Sequence, residues 1–285
     1  MKKILISFFL PIVIFANSCT LPSDIKSLIV KSGLISLKNY SDIKRNYRSL
    51  KGLCVDLISF KEGRFNWKML LIFNPKAPRG AFWFLPHDNE NSAFNSAVYA
   101  TRKYGGGFLS VVAGGNRYFK GQDPNRNFSD SSVRVCSGQL APSPIYTSIV
   151  FSIINNFRGV NMPYLALHNN TNRGGITILK SSKYAKSFLA YSVAEVKKGI
   201  GLADEDSLVY IAGSSFNPPI QKISTLIHLG LNVKYEIVNR NSNDCSMSNY
   251  VVIGRGSNNY YNIEAQHGKS VTQKRMIDLL MRLIR

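Results

Sequence analysis

Short apolar runs recur along this chain, and each gives way to polar, Gly-rich or Pro-containing sequence before a segment of helical spacing begins. Residues 66–73 (NWKMLLIF), 81–85 (AFWFL), 108–113, 164–167 (YLAL), 175–179, 208–212, 233–238, 250–253 and 260–265 have strand length and composition. Residues 92–104 carry Phe94, Val98 and Tyr99 at helical spacing and stop at three glycines, Gly105–Gly107. Residues 144–157 read as a helix with Pro near its start. Residues 220–229 follow a Pro-Pro opening, and residues 271–284 form a closing amphipathic helix with Met276, Ile277, Leu280 and Ile284 on one face. Strands alternating with helices predict an α/β fold: a single domain with a mixed, mostly parallel central sheet flanked by helices. Residues 114–143 are a long polar, Gly-rich loop. Residues 20–60 show only weak helical spacing (Leu28, Ile29, Leu34) and read as a helical or irregular lead-in. No internal repeat, low-complexity tract or linker interrupts the pattern.

Composition supports a globular core. Of 285 residues, 45% are apolar and 18% charged, which excludes a disordered tail and a disulfide-knotted miniprotein. Lys and Arg number 36 against 16 Asp and Glu, a formal charge of +20 spread along the chain. Such an excess suits polyanionic surroundings (nucleic acid, anionic lipid or an acidic polymer), or serves solubility alone.

The N-terminus narrows that choice. Lys2 and Lys3 precede an apolar run over residues 4–15, and Ala16-Asn17-Ser18 supplies small residues at a cleavage site. This is the layout of a secretory signal peptide over residues 1–18, too short for a comfortable membrane span. The expectation is an exported protein, periplasmic or secreted, with no nucleic-acid partner. Cys19 follows the cleavage point, so a lipoprotein is an alternative, and a membrane partner is expected only if Cys19 is lipidated. The four cysteines, Cys19, Cys54, Cys136 and Cys245, are too dispersed for a Cys-type zinc site; one disulfide among the last three is expected. The domain reading is a signal peptide over 1–18, a lead-in over 19–60 and a catalytic domain over 61–285.

Chemistry concentrates where apolar runs end. His87 follows AFWFLP and opens His87-Asp88-Asn89-Glu90; His168 follows YLAL and opens His168-Asn169-Asn170. His and Glu three residues apart at a helical turn face one side, and a second His from another strand end completes a two-His, one-carboxylate set with a position open for water. Between them lies Asp123-Pro124-Asn125-Arg126-Asn127-Phe128. Late in the chain, strand alternation sets Glu264 among apolar neighbours, where a carboxylate is costly without a partner.

Taken in order, H-x-x-E, D-x-N-R-x-F, His and a late Glu, the chain resembles the zinc carboxypeptidase superfamily over residues 65–285. That superfamily covers metallocarboxypeptidases and the succinylglutamate desuccinylase–aspartoacylase branch, and this chain looks like a divergent exported member. The resemblance implies one Zn2+ per chain held by His87, Glu90 and His168. It implies Arg126 clamping a substrate carboxylate or polarising a carbonyl, Asn125 binding the same end of the substrate, and Glu264 activating the metal-bound water and passing its proton to the leaving amine. Arg117, in Gly-Gly-Asn-Arg, is a candidate second oxyanion donor. Tyr250, Tyr260 and Tyr261 are candidates for a substrate-side tyrosine. His267 is either a pocket residue or a loop residue, and His228 is a surface or packing residue.

The family's usual Leu is Pro124 here. His87 to Arg126 spans 39 residues (126 − 87) and Arg126 to His168 spans 42 (168 − 126), shorter than in the digestive enzymes and closer to the deacylase branch. The expected function is an exported zinc-dependent amide hydrolase of carboxypeptidase or amidase type acting on peptidoglycan stem peptides. The alternatives are an N-acyl amino acid deacylase of aspartoacylase type and a non-catalytic cell-wall binding module. The partners expected are a peptide or N-acyl amino acid with a free carboxylate, and an anionic cell-wall polymer.

Overall fold

The computed structural model describes residues 19–172, 176–179, 188–193 and 201–285. The predicted signal peptide lies outside the described residues. In chain order the elements are α1 (Ser23–Lys26), β1 (Ile29–Ser32), α2 (Ser41–Leu50), β2 (Cys54–Glu62), β3 (Phe65–Phe73), β4 (Phe82–Leu85), α3 (Asn91–Tyr104) and β5 (Gly107–Val111). They continue with α4 (Pro144–Phe157), β6 (Tyr164–Asn170), β7 (Phe188–Tyr191), β8 (Leu208–Gly213), α5 (Ile220–His228), β9 (Asn232–Ile237), α6 (Met247–Ile253), β10 (Tyr260–Gln266) and α7 (Ser270–Ile284). The strands form one mixed sheet in the order β1-β2-β3-β5-β4-β6-β10-β8-β9-β7. The parallel pairings β5/β4, β4/β6 and β6/β10 sit at its centre; β8 joins β10 antiparallel, β9 joins β8 parallel, and the other strands toward the edges pair antiparallel.

The apolar runs are continuous because both faces of the sheet are covered. On one face Trp83, Leu165, Leu167 and Ile263 pack with Phe94 and Val98 of α3 and Met276, Ile277 and Leu280 of α7. On the other, Trp67, Phe82 and Phe84 meet Val150, Phe151 and Ile154 of α4 and Val251 of α6. The glycines after α3 are required by close approach. Gly106 has φ +69°, and a Cβ there would stand 2.1 Å from the Ala81 carbonyl oxygen; one on Gly107 would stand 2.4 Å from that of Ile72.

Several expectations need correction. The lead-in contains two strands, and β2 pairs with β3 from Cys54↔Phe73 to Glu62↔Phe65, so a boundary at 60/61 cuts through a strand of the main sheet. Buried Asp56 breaks the apolar look of that run. Residues 250–253 are not a strand but the end of α6: Ser246 caps the helix by accepting from the Asn249 N–H, and four apolar residues alone cannot separate a buried helix from a strand. Ile176–Leu179 form no strand, and Gly175 lies outside the described residues. β6 runs on to Asn170, so His168 lies within the strand rather than after it.

All four cysteines are paired. Cys136–Cys245 is a disulfide among the three considered, and Cys19–Cys54 is a second that the sequence did not suggest; their Cα separations are 6.1 and 5.6 Å. Cys19, the residue of the lipoprotein alternative, is thus paired with Cys54 in this structure. Peptide mapping of unreduced protein is expected to recover the 19–54 and 136–245 links and no free thiol. Replacing Cys136 and Cys245 together by Ser is expected to cost roughly 2–4 kcal/mol in denaturant unfolding; an unchanged midpoint would contradict the pairing.

Candidate functional site

β4 ends at Leu85, and Pro86 directs the chain into a tight turn in which the Glu90 N–H donates to the His87 carbonyl, 3.2 Å. Asp88 ties this turn to the loop after β5 by accepting from the backbone N–H groups of Ala113 and Gly115, at 2.6 and 2.8 Å. Glu90 occupies the position before the first residue of α3, where a side chain ordinarily caps the helix. Here Asn169, from β6, takes that task by accepting from the Ala93 N–H at 2.8 Å. The Glu90 carboxylate is therefore free to face β6.

There it meets both imidazoles. His87 Nδ1 is 2.7 Å from Glu90 Oε1, His168 Nδ1 is 3.3 Å from Glu90 Oε2, and the two Nδ1 atoms are 3.2 Å apart. All three residues are buried. The other nitrogen of His87, Nε2, lies 2.9 Å from Asp123 Oδ1, and Arg117 reaches Glu90 at 3.4 Å and Asp123 at 3.3 Å. The Asn169 N–H donates to Glu90 Oε2 and the Gln273 amide to the His168 carbonyl, at 2.9 and 2.8 Å. Burial works to raise the Glu90 and Asp123 carboxyls, but the imidazoles, with Arg117 and Arg126 also acting on Asp123, outweigh it and hold both below the usual carboxylate range. Burial opposes charge on His87, yet Glu90 and Asp123 leave its pKa raised.

His87, Glu90 and His168 could hold one metal ion. Two Nδ1 atoms and a carboxylate oxygen around a tetrahedral ion with bonds of about 2.0–2.1 Å would stand roughly 3.3 Å apart. The two Nδ1 atoms are 3.2 Å apart, close to that spacing, and each lies against its own Glu90 oxygen, Oε1 at 2.7 Å and Oε2 at 3.3 Å, so the carboxylate faces the same point as both nitrogens. A carboxylate on the far ring nitrogen, as Asp123 provides for His87, is the outer partner that fixes a metal-binding tautomer.

Glu264 stands beside this group because β10 and β6 run parallel with Glu264 opposite His168. It is buried, accepts from the Asn262 amide at 2.9 Å, and has its pKa raised by burial and by Glu90, against the pull of His168 and Asn262. Both lie in a cleft of about 380 Å³ that also takes in Asn125, Arg126, Arg117 and His267. Asn125 and Arg126 arrive on a 3-10 turn, Pro124–Arg126, started by Asp123 Oδ1 accepting from the Asn125 N–H at 2.9 Å. Arg126 pairs with Asp244 at 3.3 Å, and a Cβ on Gly138 would stand 3.0 Å from the Arg126 Cβ, so that glycine lets the loop lie across the arginine's stem. The 136–245 disulfide joins this loop to the Asp244 segment.

All seven residues singled out for the site thus line one cleft. Of the three tyrosines considered from the sequence, Tyr260 does; Tyr250 instead donates to Asp130, and Tyr261 faces the opposite core. His228 is exposed at a helix end. The sequence reading missed Asp123 as a partner of His87, although it begins the quoted motif, and missed Tyr210, Glu236, Asp244 and Asn262 in the cleft wall. Strand alternation through Tyr260, Asn262 and Glu264 was a signal for Asn262.

No protein-family model matches the chain, and no curated protein matches it in sequence. Solved structures similar in fold include a metallopeptidase candidate from Shewanella amazonensis (13% identity, TM-score 0.47, 86% of this chain and 91% of that one). A succinylglutamate desuccinylase from Vibrio cholerae is similar at 12% identity and TM-score 0.40, over 90% of this chain and 71% of that one. An aspartoacylase family protein from Mesorhizobium loti is similar at 12% identity and TM-score 0.40, over 81% and 68%. Identity and TM-score are low in each case, and the functional reading rests on the site's own geometry.

Asp123→Asn removes the charge behind His87 while keeping the side chain's shape. It is expected to weaken divalent-metal affinity about 10–100-fold in competition with a chromophoric chelator; unchanged affinity would show that His87 Nδ1 is not a ligand.

Proposed function

We propose that this protein is an exported zinc-dependent amide hydrolase of carboxypeptidase or amidase type. The observation that carries the reading is the convergence of two Nδ1 atoms and the Glu90 carboxylate beside a second buried acid, Glu264, in a cleft that also holds Arg126. His87, Glu90 and His168 would hold the zinc, which when bound supplies Lewis-acid polarisation of the scissile carbonyl and acidifies a water.

The chain's own groups do the rest. Glu264, with its proton affinity raised by burial, accepts a proton from the attacking water and delivers it to the leaving nitrogen. Arg126 offers paired donors that match a carboxylate, and Asn125 flanks it, its Oδ1 held by the Met247 N–H at 3.1 Å and its NH2 without a hydrogen-bond partner among the described residues. Arg117, with 40% of its side chain exposed, stands next to Glu90, where a cation favours a developing oxyanion. Export by a leader over residues 1–18 is in keeping with two disulfides, which persist in oxidising compartments. An exported basic protein with this cleft suits peptidoglycan stem peptides, which offer free carboxylates on an anionic polymer.

Three measurements test the proposal. Purified mature protein is expected to carry about one zinc per chain. Glu264→Gln is expected to retain it while hydrolysis falls by roughly 10²–10⁴-fold. Muropeptides and N-acyl amino acids digested side by side and read by mass spectrometry are expected to show loss of a carboxylate-bearing residue from the muropeptides. Cleavage of the N-acyl amino acids alone would make the protein a deacylase, and cleavage of neither by the zinc-loaded protein would leave a wall-binding module.

A further inference from the structure

Helices α2, α3 and α7 cover one face of the sheet and carry a charge that the proposed mechanism does not use. α2 holds three Lys and Arg, α3 two and α7 three, against two acids, Asp42 and Asp278. Both acids are engaged within the protein. Asp42 pairs with Arg45, and Asp278 meets Lys103 at 2.9 Å and the Tyr99 and Tyr104 hydroxyls at 2.8 and 2.6 Å. The three helices are joined side by side. Arg102 of α3 reaches the carbonyl of Ser49 in α2, and the Lys274 ammonium of α7 lies 5.7 Å from the centre of the Tyr99 ring of α3.

Between them runs a groove of about 340 Å³ whose walls include Ser49, Asn95, Tyr99, Arg102 and Lys274. Arg102 is held in place by its Nη1, which donates to the Ser49 and Lys51 carbonyls at 3.1 and 2.8 Å. Its Nε and Nη2 are left for an outside acceptor, so this cation is oriented before any partner arrives. Lys274 and the exposed Arg48 of α2 have no acid partner among the described residues. The groove follows α3, whose first residue comes directly after Glu90. At 1.5 Å per residue, Asn95 stands about 8 Å and Arg102 about 18 Å along the helix from Glu90, so the groove leads away from the cleft. A concave groove flanked by cations fits a chain better than a flat bilayer. Among the described residues these helices expose one large apolar side chain, Val271 at the start of α7, to enter lipid.

We propose that this groove binds a second stretch of the anionic wall polymer whose stem peptide occupies the cleft. Carboxylates of a neighbouring stem peptide meet Arg102 and Lys274, and the second contact keeps the enzyme on the polymer between cleavages. The assignment rests on the peptidoglycan reading of the cleft.

The test is co-sedimentation of zinc-loaded mature protein carrying Glu264→Gln with purified peptidoglycan sacculi at low ionic strength. A groove variant adds Arg48→Gln, Arg102→Gln and Lys274→Gln. A control variant removes the same charge elsewhere, by Lys26→Gln, Arg64→Gln and Lys76→Gln, and a third keeps the groove's charge with Arg48→Lys, Arg102→Lys and Lys274→Arg. The groove variant is expected to bind sacculi about tenfold more weakly, and the control and charge-keeping variants within about twofold of the parent. Circular dichroism and the unfolding midpoint of each variant report its fold. A groove variant that keeps its binding, a control variant that loses as much, or no binding by the parent would overturn the proposal. Capture by phosphatidylglycerol vesicles but not by sacculi would overturn it as well and make the surface lipid-facing. Turnover is read separately with Glu264 intact: the groove substitutions are expected to slow cleavage of sacculi about tenfold and of soluble muropeptides less than about twofold. Groove-dependent binding of sacculi without cleavage of either substrate would sink the hydrolase reading and leave the groove standing.

Discussion

The 3.2 Å approach of two buried imidazole nitrogens, with a carboxylate oxygen on each, constrains the rest of this molecule. With each Nδ1 turned to its own Glu90 oxygen, which can only accept, neither nitrogen is placed to donate to the other, and nothing apolar separates them. A divalent cation resolves the conflict with the atoms nearly where they stand. The surrounding architecture serves to hold them there: β4 delivers His87, the turn tied down by Asp88 delivers Glu90, and the parallel pairing of β6 with β10 sets His168 against Glu264. Asn169 links these parts, capping α3 with its side chain and donating to Glu90 with its backbone.

A second layer fixes the part of the cleft that would meet substrate. Asp123 binds His87 with the same carboxylate oxygen that starts the turn carrying Asn125 and Arg126, so the His87, Glu90 and His168 group and the Arg126 turn share one residue. The 136–245 disulfide and the contact of Gly138 with the Arg126 stem hold the long loop against the segment bearing Asp244. A loop of that length with little regular structure would otherwise place a guanidinium poorly, and a small misplacement is costly in catalysis.

Much of this was legible in the sequence because central strands buried on both faces leave plain apolar runs, and polar residues at their ends stand out. His87, Glu90, His168 and Glu264 stood out that way, and the motif around Arg126 pointed to the turn that enters the same cleft. What escaped had a physical reason. β2 carries buried Asp56 and so lacked a clean pattern, and α6 is too short and too fully buried to show helical periodicity. Glu236 and Asp244 come from segments far from any motif and join the cleft only through strand order, which sequence spacing does not reveal. The pairing of Cys19 with Cys54 was not legible either, because the two lie on segments whose register only the sheet reveals.

The central claim is that His87, Glu90 and His168 bind one ion through two Nδ1 atoms and a carboxylate. Diffraction from crystals of the mature protein, recorded at the zinc absorption edge, tests it most directly. The account predicts one strong anomalous peak about 2.0–2.2 Å from both Nδ1 atoms and from Glu90. Ligation through Nε2, no peak at this position, or a peak seated instead on the buried Asp204, Glu205 and Asp206 group would contradict it.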